Sequence, residues 1–357
     1  MTMRLAIGLF NLGGPDRPAA IEPFLFNLFN DASIIGLPGL LRRPLARVLA
    51  RKRARIAGEI YGHLGGRSPL LELTQAQAQA LEETLRRRGL DARVFVCMRY
   101  WHPMSDEVAA AVAAFAPDEV VLLPLYPQFS TTTTLSSLRD WRRAVRQHGL
   151  KAREHAICCY PEAPGWIAAQ VRLVRAALGE AAAEGPPRVL FSAHGLPKRV
   201  IKRGDPYQWQ VERTVAAVVA GLGRDNPGES SLDYTICYQS RVGPLEWIGP
   251  ATEAELRRAG RDGKAVVMAP IAFVSEHSET LVELDIEYAR TARGAGVKCY
   301  VRVPAVGTAD EFIGGLAALI EDALRRGPPA GPADGVRVCP AAFGRCPCQT
   351  PPRQSGS

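Results

Sequence analysis

The sequence has no uninterrupted run of about 18 or more uncharged apolar residues, the length that a membrane-spanning helix needs. Its first residues, MTMRLAIGLFNLGGP, lack the small-residue cleavage pattern of a signal peptide, so we interpret them as a first strand. Zinc-finger spacing, an RNA-binding sheet signature, a G-x-G-x-x-G fingerprint and a Walker motif are also missing. We therefore expect a soluble, cytoplasmic protein that binds neither nucleic acid nor a nucleotide cofactor.

The length indicates the number of domains, and the charge indicates the kind of partner. A chain of 357 residues suits two α/β units of about 150 residues each. The net charge of +8 comes mainly from residues 41–55, LRRPLARVLARKRAR, where cations alternate with Leu, Val and Ala. This pattern is typical of a surface for an anionic partner, either a membrane or a substrate carboxylate, and equally of a solvated helix face.

Eight short strand-like runs alternate with helical stretches rich in Ala, Leu and Arg. The runs are LAIGLFN, VFVCMRY, VVLLPLYP, HAICCY, RVLFSAH, YTICYQS, AVVMAPIAF and VKCYVRV. Strands separated by helices predict parallel sheets with helices on both faces. Four runs lie on each side of Pro186-Pro187, so we predict an α/β fold of two doubly wound, Rossmann-like lobes with a cleft between them. The predicted ranges are 1–175, 176–326 and a linker with a Cys-rich tail at 327–357.

A histidine ends the strand RVLFSAH. His194 is followed by Gly195-Leu196-Pro197, which turns the chain sharply at the carboxyl end of the strand. Reactive groups of α/β proteins lie at these ends. His194 is thus a candidate general base or ligand of a borderline metal, although a lone histidine is more often structural.

A second candidate site follows the strand AVVMAPIAF. At about 100° per residue, a helix would align four carboxylates into one acidic stripe, Glu276, Glu279, Glu283 and Glu287. A solvated helix face explains such a stripe, whereas a buried stripe needs cations or protons. His277 adds an imidazole, and this mixture can bind divalent iron weakly or relay protons.

Seven short motifs occur in order along the chain. They are Asn11–Pro15 (NLGGP), Gly65–Leu70 (GGRSPL), Met98–Pro103 (MRYWHP), Tyr126–Ser130 (YPQFS), Ser192–Pro197 (SAHGLP), Gln239–Pro244 (QSRVGP) and Ser275–Thr280 (SEHSET). Together they resemble the motif set of the ferrochelatases, which insert ferrous iron into a dianionic porphyrin to make haem. The resemblance extends from about residue 4 to residue 325.

The resemblance implies roles for the residues of the second half. It implies that His194 faces the porphyrin centre, where it accepts pyrrole protons or binds the iron substrate, and that Glu279 shares that centre. Insertion releases two protons, so the chemistry needs a base and a carboxylate relay. His277, Glu276, Glu283 and Asp285 would continue the proton path outward.

The resemblance also implies porphyrin contacts. The positions that orient the macrocycle and its propionates are Ser68, Arg99, Tyr100, Ser130 and Thr132, and those of its apolar walls are Leu12, Leu28, Phe29 and Trp247. Core packing is the alternative for Leu28 and Phe29. Residues 24–55 resemble the mobile segment that is called the lip in this family. Because the lip touches the membrane in some members, we expect peripheral membrane contact.

Three cysteines lie within ten residues near the C-terminus. Cys339, Cys346 and Cys348 resemble the [2Fe–2S] motif of some bacterial ferrochelatases, and such a cluster takes four thiolates. Thr131 occupies the position of the distant ligand in the animal-type version, so we expect Cys158 or Cys159 to be the fourth ligand. A structural zinc is the alternative. The remaining cysteines are expected to be buried thiols.

Two further alternatives stay open. A coproporphyrin III ferrochelatase would share most of these motifs, although the Asn11–Pro15 motif and Leu28-Phe29 are more similar to the protoporphyrin type. A non-catalytic tetrapyrrole or metal carrier is the alternative from a different class. The presence of both His194 and Glu279 argues against a carrier.

Overall fold

The computed structural model describes residues 3–224, 232–241, 243–327 and 337–348. Most of the predicted linker, 328–336, and the last residues, 349–357, lie outside the described residues. The chain divides into two compact units. Unit 1 comprises Met1–Cys159, Leu316–Val338 and Pro347–Ser357, and unit 2 comprises Tyr160–Gly315 and Cys339–Cys346. The predicted lobe boundary at residues 175 and 176 stays a prediction.

Unit 1 contains four strands and five α-helices among its residues up to Cys159 that the structure describes. The strands are β1 Leu5–Asn11, β2 Ala92–Met98, β3 Glu119–Pro124 and β4 Arg153–Ala156. A 3₁₀ turn at Pro18–Ala20 precedes the helices α1 Ile21–Phe29, α2 Gly39–Gly62, α3 Leu70–Arg87, α4 Ser105–Phe115 and α5 Thr134–His148.

The sheet of unit 1 is parallel, in the order β2-β1-β3-β4. All seven residues of β1 are buried, as expected for a central strand covered by helices on both faces. Phe10 of β1 contacts Trp141 of α5 edge to face, with the ring centroids 5.8 Å apart. The chain leaves β1 toward β2 on one side and later returns to β3 on the other, which creates a switch point at the carboxyl end of β1.

Unit 2 repeats this plan. Its strands are β5 Pro187–His194, β6 Tyr234–Gln239, β7 Ala265–Pro270 and β8 Tyr300–Arg302. Its helices are α6 Pro164–Ala182, α7 Lys198–Lys202, α8 Tyr207–Arg224, α9 Thr252–Arg261, a π-helix Glu279–Tyr288, α10 Ala289–Gly294 and the first part of α11 Asp310–Arg326, which continues into unit 1 from Leu316.

The sheet of unit 2 is also parallel, in the order β6-β5-β7-β8. The two sheets confirm the predicted α/β fold with two Rossmann-like lobes. Here β5 is the strand at the switch point, so its last residue, His194, lies at the edge where such folds bind ligands. No helix within the described ranges has the length and apolar character needed to cross a membrane.

The lip, residues 24–55, consists of most of α1, the connection 30–38 and the larger part of α2. One side of it is buried, because Phe24, Leu25 and Ala50 pack in a cluster with Tyr61 and Tyr100. The other side is not, since several apolar residues of α2 are exposed, among them Leu40 at 92%, Leu41 at 61% and Val48 at 63%.

Two local predictions were wrong. The acidic segment is not an α-helix from Glu276: the helix begins at Glu279 and is a π-helix, with Glu276 outside it. The run HAICCY was predicted as a strand, but the fourth strand ends at Ala156, so Cys158 and Cys159 lie beyond it.

Candidate active site

The candidate site of unit 2 is built around an imidazole–carboxylate pair. Nδ1 of His194 lies 2.7 Å from Oε2 of Glu279, and the two side chains are 40% and 25% exposed. Burial lowers the pKa of His194, but the charge and hydrogen bond of Glu279 outweigh it and raise that pKa above its ordinary value. Burial likewise opposes ionisation of Glu279, yet the charge of His194 lowers the pKa of this carboxyl.

A serine hydroxyl connects this pair to a second carboxylate. Oγ of Ser240 lies 2.9 Å from Oε2 of Glu279 and 2.6 Å from Oε2 of Glu283. Ser240 directly follows β6, and β6 pairs with β5 so that Gln239 is opposite His194. Its backbone has a φ of +58°, a conformation that non-glycine residues adopt rarely.

Glu283 accepts several hydrogen bonds. Nε2 of Gln239 (3.1 Å), the backbone N–H of Ser240 (2.8 Å) and the hydroxyl of Tyr288 (2.9 Å) contact its carboxyl group. Burial and the charge of Glu279 nevertheless raise the pKa of Glu283, because the hydrogen bonds only partly compensate. The two carboxyls are therefore pushed apart in pKa, and the one farther from His194 holds a proton more readily.

The π-helix explains why these groups share one face. Its i→i+5 bonding winds the chain more loosely than an α-helix, so residues four and five apart lie nearly above one another. Glu279, Glu283 and Tyr288 follow this spacing. Glu287 is exposed.

His277 lies beside the pair. Its Nδ1 accepts a hydrogen bond of 3.1 Å from the backbone N–H of Glu279, and its ring contacts Phe273 edge to face at 4.5 Å. Burial lowers the pKa of His277 below its ordinary value. His277 is thus held as a neutral ring with the hydrogen on Nε2.

Glu276 and Asp285, two other predicted members of the proton path, point to Arg302 of β8. The guanidinium binds Asp285 through both oxygens at 2.7 Å and also contacts Glu276. Although burial opposes it, contacts with Thr280, Arg302 and the backbone lower the pKa of Glu276. The structure therefore separates Glu276 from Glu279 and Glu283, which the stripe prediction had joined.

Trp247 is placed near His194 by the turn after β5. Pro197 forms an isolated bridge with Trp247, and a Cβ atom on Gly195 would lie 3.4 Å from the indole and 2.8 Å from the carbonyl oxygen of Gln239. Glycine is required there because the carbonyl oxygen of Gln239 in β6 approaches the backbone too closely for a Cβ atom, while the indole is in ordinary contact.

In unit 1, the predicted contacts Arg99 and Tyr100 bind a residue that sequence reasoning missed. Nη2 of Arg99 donates to Asp31 at 2.9 Å, and the hydroxyl of Tyr100 donates to the same oxygen at 2.8 Å. Asp31 is buried in the connection between α1 and α2. In the sequence, the signal that could have identified Asp31 is the presence of a carboxylate within the hydrophobic lip.

The other predicted contacts of unit 1 fall into two groups. Leu12, Leu28 and Phe29 are partly buried against the cluster that contains Tyr100. The hydroxyl groups bond locally: Ser68 accepts from the backbone of Leu70 at 3.3 Å, and Ser130 lies 2.9 Å from Thr132. Thus the three apolar residues pack against one buried cluster.

The tail cysteines Cys339, Cys346 and Cys348 are buried although their segment has no helix or strand in the described part. Nε2 of Gln210 donates to the sulfur of Cys339 at 3.1 Å. In unit 1, Cys158 and Cys159 are also buried, with their sulfur atoms 3.6 Å apart. Within the described ranges, no three His, Cys, Asp or Glu side chains are grouped as a metal site requires.

Comparisons with known proteins agree with the motif set. A model of the family "Ferrochelatase" matches residues 4–324. Ferrochelatases from Phenylobacterium zucineum and Caulobacter vibrioides are 54% and 53% identical, over 97% and 98% of this chain and 98% and 99% of theirs. The ferrochelatase of Pelagibacter ubique is 45% identical over 97% of this chain and 99% of its own.

Among solved structures, SirB from Bacillus subtilis with Fe³⁺ has the same fold. It is 11% identical, with a TM-score of 0.51 over 90% of this chain and 96% of that one. The family match over most of the sequence, together with relatives more than half identical along nearly their whole length, shows that the chain belongs to the ferrochelatase family.

Proposed function

We propose that the chain inserts ferrous iron into protoporphyrin IX to form haem, with release of two protons. Family membership supports iron insertion into a porphyrin. The observation that carries the catalytic assignment is the 2.7 Å hydrogen bond between His194 and Glu279 at the switch point of unit 2. A non-catalytic carrier would not need a base coupled to a carboxylate.

His194 is the proposed acceptor of the pyrrole protons. Its Nδ1 is bound to Glu279, whereas its Nε2 forms no hydrogen bond within the part of the chain that the structure describes. When Nε2 takes a pyrrole proton, the Nδ1 proton is shared with Glu279, which stabilises the imidazolium that forms. Carboxylate and imidazole together also suit a ferrous ion that approaches as substrate.

The protons then leave through Ser240 and Glu283. For a proton to leave, Glu279 takes it from His194 and gives it to the oxygen of Ser240, which in turn donates its own hydrogen to the ionised Glu283. The opposite pKa shifts of the two carboxyls fit this arrangement. Glu276 and Asp285 form ion pairs with Arg302, so we assign them to holding the π-helix in place.

The porphyrin faces are assigned to Leu12, Leu28, Phe29 and Trp247, and the orientation of the macrocycle to the polar residues Ser68, Arg99, Tyr100, Ser130 and Thr132. A flat apolar ring suits pockets lined by such side chains with few polar groups. The apolar character of Leu28 and Phe29 supports protoporphyrin, which carries vinyl groups, over the more acidic coproporphyrin III.

The test is an anaerobic assay of ferrous iron insertion with each porphyrin. We expect a higher kcat/KM with protoporphyrin IX than with coproporphyrin III, and no turnover of either by His194→Ala. His148→Ala, which changes an exposed histidine at the end of α5, is the matched control and should retain full activity. Turnover of coproporphyrin III alone would reassign the substrate, and binding without turnover of either would support the carrier.

We further propose that the lip contacts an anionic membrane surface from the cytoplasm. α2 combines the exposed apolar residues Leu40, Leu41 and Val48 with the cationic run of residues 42–55. Apolar side chains beside cations are typical of helices that lie in the interface of anionic bilayers. The eight cysteines without a recognisable disulfide framework in the sequence support a reducing compartment.

Vesicle sedimentation tests this membrane contact. The wild-type protein should bind vesicles that contain anionic lipid and not neutral vesicles, and Leu40→Ser with Leu41→Ser should abolish binding. Leu245→Ser, which changes a 40% exposed leucine in unit 2, is the control. Equal binding by both variants would refute a role for the lip.

For the tail, we propose a [2Fe–2S] cluster held by Cys339, Cys346 and Cys348 with Cys158 or Cys159. Burial of all five sulfur atoms and the N–H···S bond from Gln210 to Cys339 support the donor set. Visible absorption with iron and sulfide analysis tests it, and a colourless protein with stoichiometric zinc would favour the structural zinc.

A further inference from the structure

Asp31 is a buried carboxylate with an unusual number of donors. Besides Arg99 and Tyr100, it accepts hydrogen bonds from the hydroxyl of Ser136 in α5 and, at 2.7 Å, from the backbone N–H of Ser33. Although burial opposes ionisation, these contacts lower the pKa of Asp31 below its ordinary value. Asp31 is therefore an anion whose hydrogen-bonding capacity is largely used inside unit 1.

Arg99 is correspondingly occupied. Besides Asp31, its Nε donates to Ser136 at 2.7 Å and its Nη1 lies 3.6 Å from Asp140 of α5. One cation thus faces two carboxylates, so the immediate surroundings of Arg99 carry no surplus positive charge for a substrate carboxylate. Tyr100 is only 1% exposed, and its hydroxyl is bound to Asp31.

The position of Asp31 in the chain shows what these bonds hold. It lies two residues after the end of α1, immediately beyond the proposed porphyrin contacts Leu28 and Phe29. A second bond at the same helix end runs from Nδ2 of Asn27 to the carbonyl oxygen of Tyr100, at 3.1 Å. The end of α1 is thereby fixed to the segment that follows β2.

We propose that Asp31 is a positioning residue for the porphyrin, and that Arg99 and Tyr100 orient the macrocycle through Asp31 rather than by contact with its carboxylates. The inference rests on the proposed function, because it takes Leu28 and Phe29 as part of the porphyrin wall. Without the bonds to Asp31, the end of α1 and these two side chains lose their fixed position.

The test compares protoporphyrin IX with its dimethyl ester, which lacks the carboxylates, in the same detergent. Asp31→Asn should raise KM for both porphyrins by about tenfold and by the same factor, with kcat within about twofold of wild type. Arg99→Gln should behave in the same way. The double variant should be no worse than either single variant, since both changes break one connection.

Asp140→Asn is the matched control. It removes the other carboxylate near Arg99 but leaves α1 attached, so KM should stay within about twofold of wild type for both porphyrins. Tyr100→Phe removes a single donor to Asp31 and should raise both KM values by about threefold. This milder change also tests the inference if Asp31→Asn does not fold.

Three results would overturn the inference. The first is a rise in KM of Arg99→Gln for protoporphyrin IX but not for its dimethyl ester. The second is an unchanged KM in both Asp31→Asn and Tyr100→Phe. The third is a rise in KM of Asp140→Asn as large as that of Asp31→Asn. Failure of the proposed function looks different, because the wild-type protein itself would then fail to metallate protoporphyrin IX.

Discussion

Replacement of Glu279 by glutamine keeps the shape of the side chain and removes its charge. The amide can still bond to Nδ1 of His194 and to Ser240, so the geometry at 2.7 Å and 2.9 Å need not change. Two consequences follow from the loss of charge. The imidazolium formed after proton transfer is no longer stabilised, and the amide cannot take the proton from His194 and pass it to Ser240.

The two consequences differ in size. General acid–base groups contribute about 10²- to 10⁴-fold to rate, so kcat should fall by this factor, which corresponds to about 2.7–5.4 kcal/mol in the barrier. The effect on folding should be small, because the pair is 40% and 25% exposed and such ion pairs contribute about 1 kcal/mol or less. The variant should therefore lose a few degrees of Tm at most.

The direction in which the pH profile of kcat/KM shifts tests this mechanism. Burial lowers the pKa of His194 and the charge of Glu279 raises it, so Glu279→Gln should lower this pKa. The acidic limb of the kcat/KM profile, which reports the free enzyme, should then move to lower pH while the plateau falls. A limb that moves to higher pH, or a kcat within threefold of wild type, would refute the assignment.

Stability should depend on pH in a related way. Because the folded pKa of His194 is raised, its stabilisation is fully present below the ordinary value of 6.5 and is lost as pH rises through the raised pKa. The stabilisation that Glu279 contributes is lost only as pH falls through the depressed pKa of this carboxyl. The difference in unfolding free energy between wild type and Glu279→Gln should therefore be larger at pH 6 than at pH 9, and an equal difference at both would contradict the pairing.

Five other substitutions test the assignments. His194→Ala should leave the circular dichroism spectrum unchanged and abolish iron insertion, and near wild-type turnover would remove the imidazole from the mechanism. Glu287→Gln, at an exposed position of the π-helix, should change kcat less than twofold, and a loss like that of Glu279→Gln would contradict the inner path. Cys346→Ser should bleach the protein and cost more than about 4 kcal/mol of stability, as loss of a metal ligand does. One of Cys158→Ser and Cys159→Ser should bleach it as well, and colour retained in both would exclude this pair as the source of the fourth ligand.

The strands were predictable because burial leaves a direct mark on the sequence. Parallel strands covered on both faces read as short apolar runs, and the eight predicted runs correspond to the eight strands that the structure describes. The ends were less predictable. HAICCY continues as a buried apolar sequence past Ala156, so hydrophobicity alone extended β4 over Cys158 and Cys159.

The candidate site was predictable where a strand end carries a reactive group. His194 follows from this rule, and the motif resemblance singled out Glu279 from the acidic stripe. Ser240 and Asp31 were missed because their significance lies in partners far along the chain: Ser240 bonds to residues about 40 positions later, and Asp31 to Arg99. A single sequence records neither partnership.

The acidic segment shows why periodicity alone could not assign the proton path. An α-helical stripe treats its carboxylates as equivalent, whereas the fold sorts them by their partners. Arg302 of β8 neutralises Glu276 and Asp285, while Ser240 after β6 bridges Glu279 and Glu283. A carboxylate in an ion pair keeps its charge near neutral pH, but two carboxyls that share a hydroxyl differ in pKa and can exchange a proton through it. The path is therefore set by strand order, because β6 and β8 lie on opposite edges of the sheet and present a hydroxyl at one edge and a cation at the other.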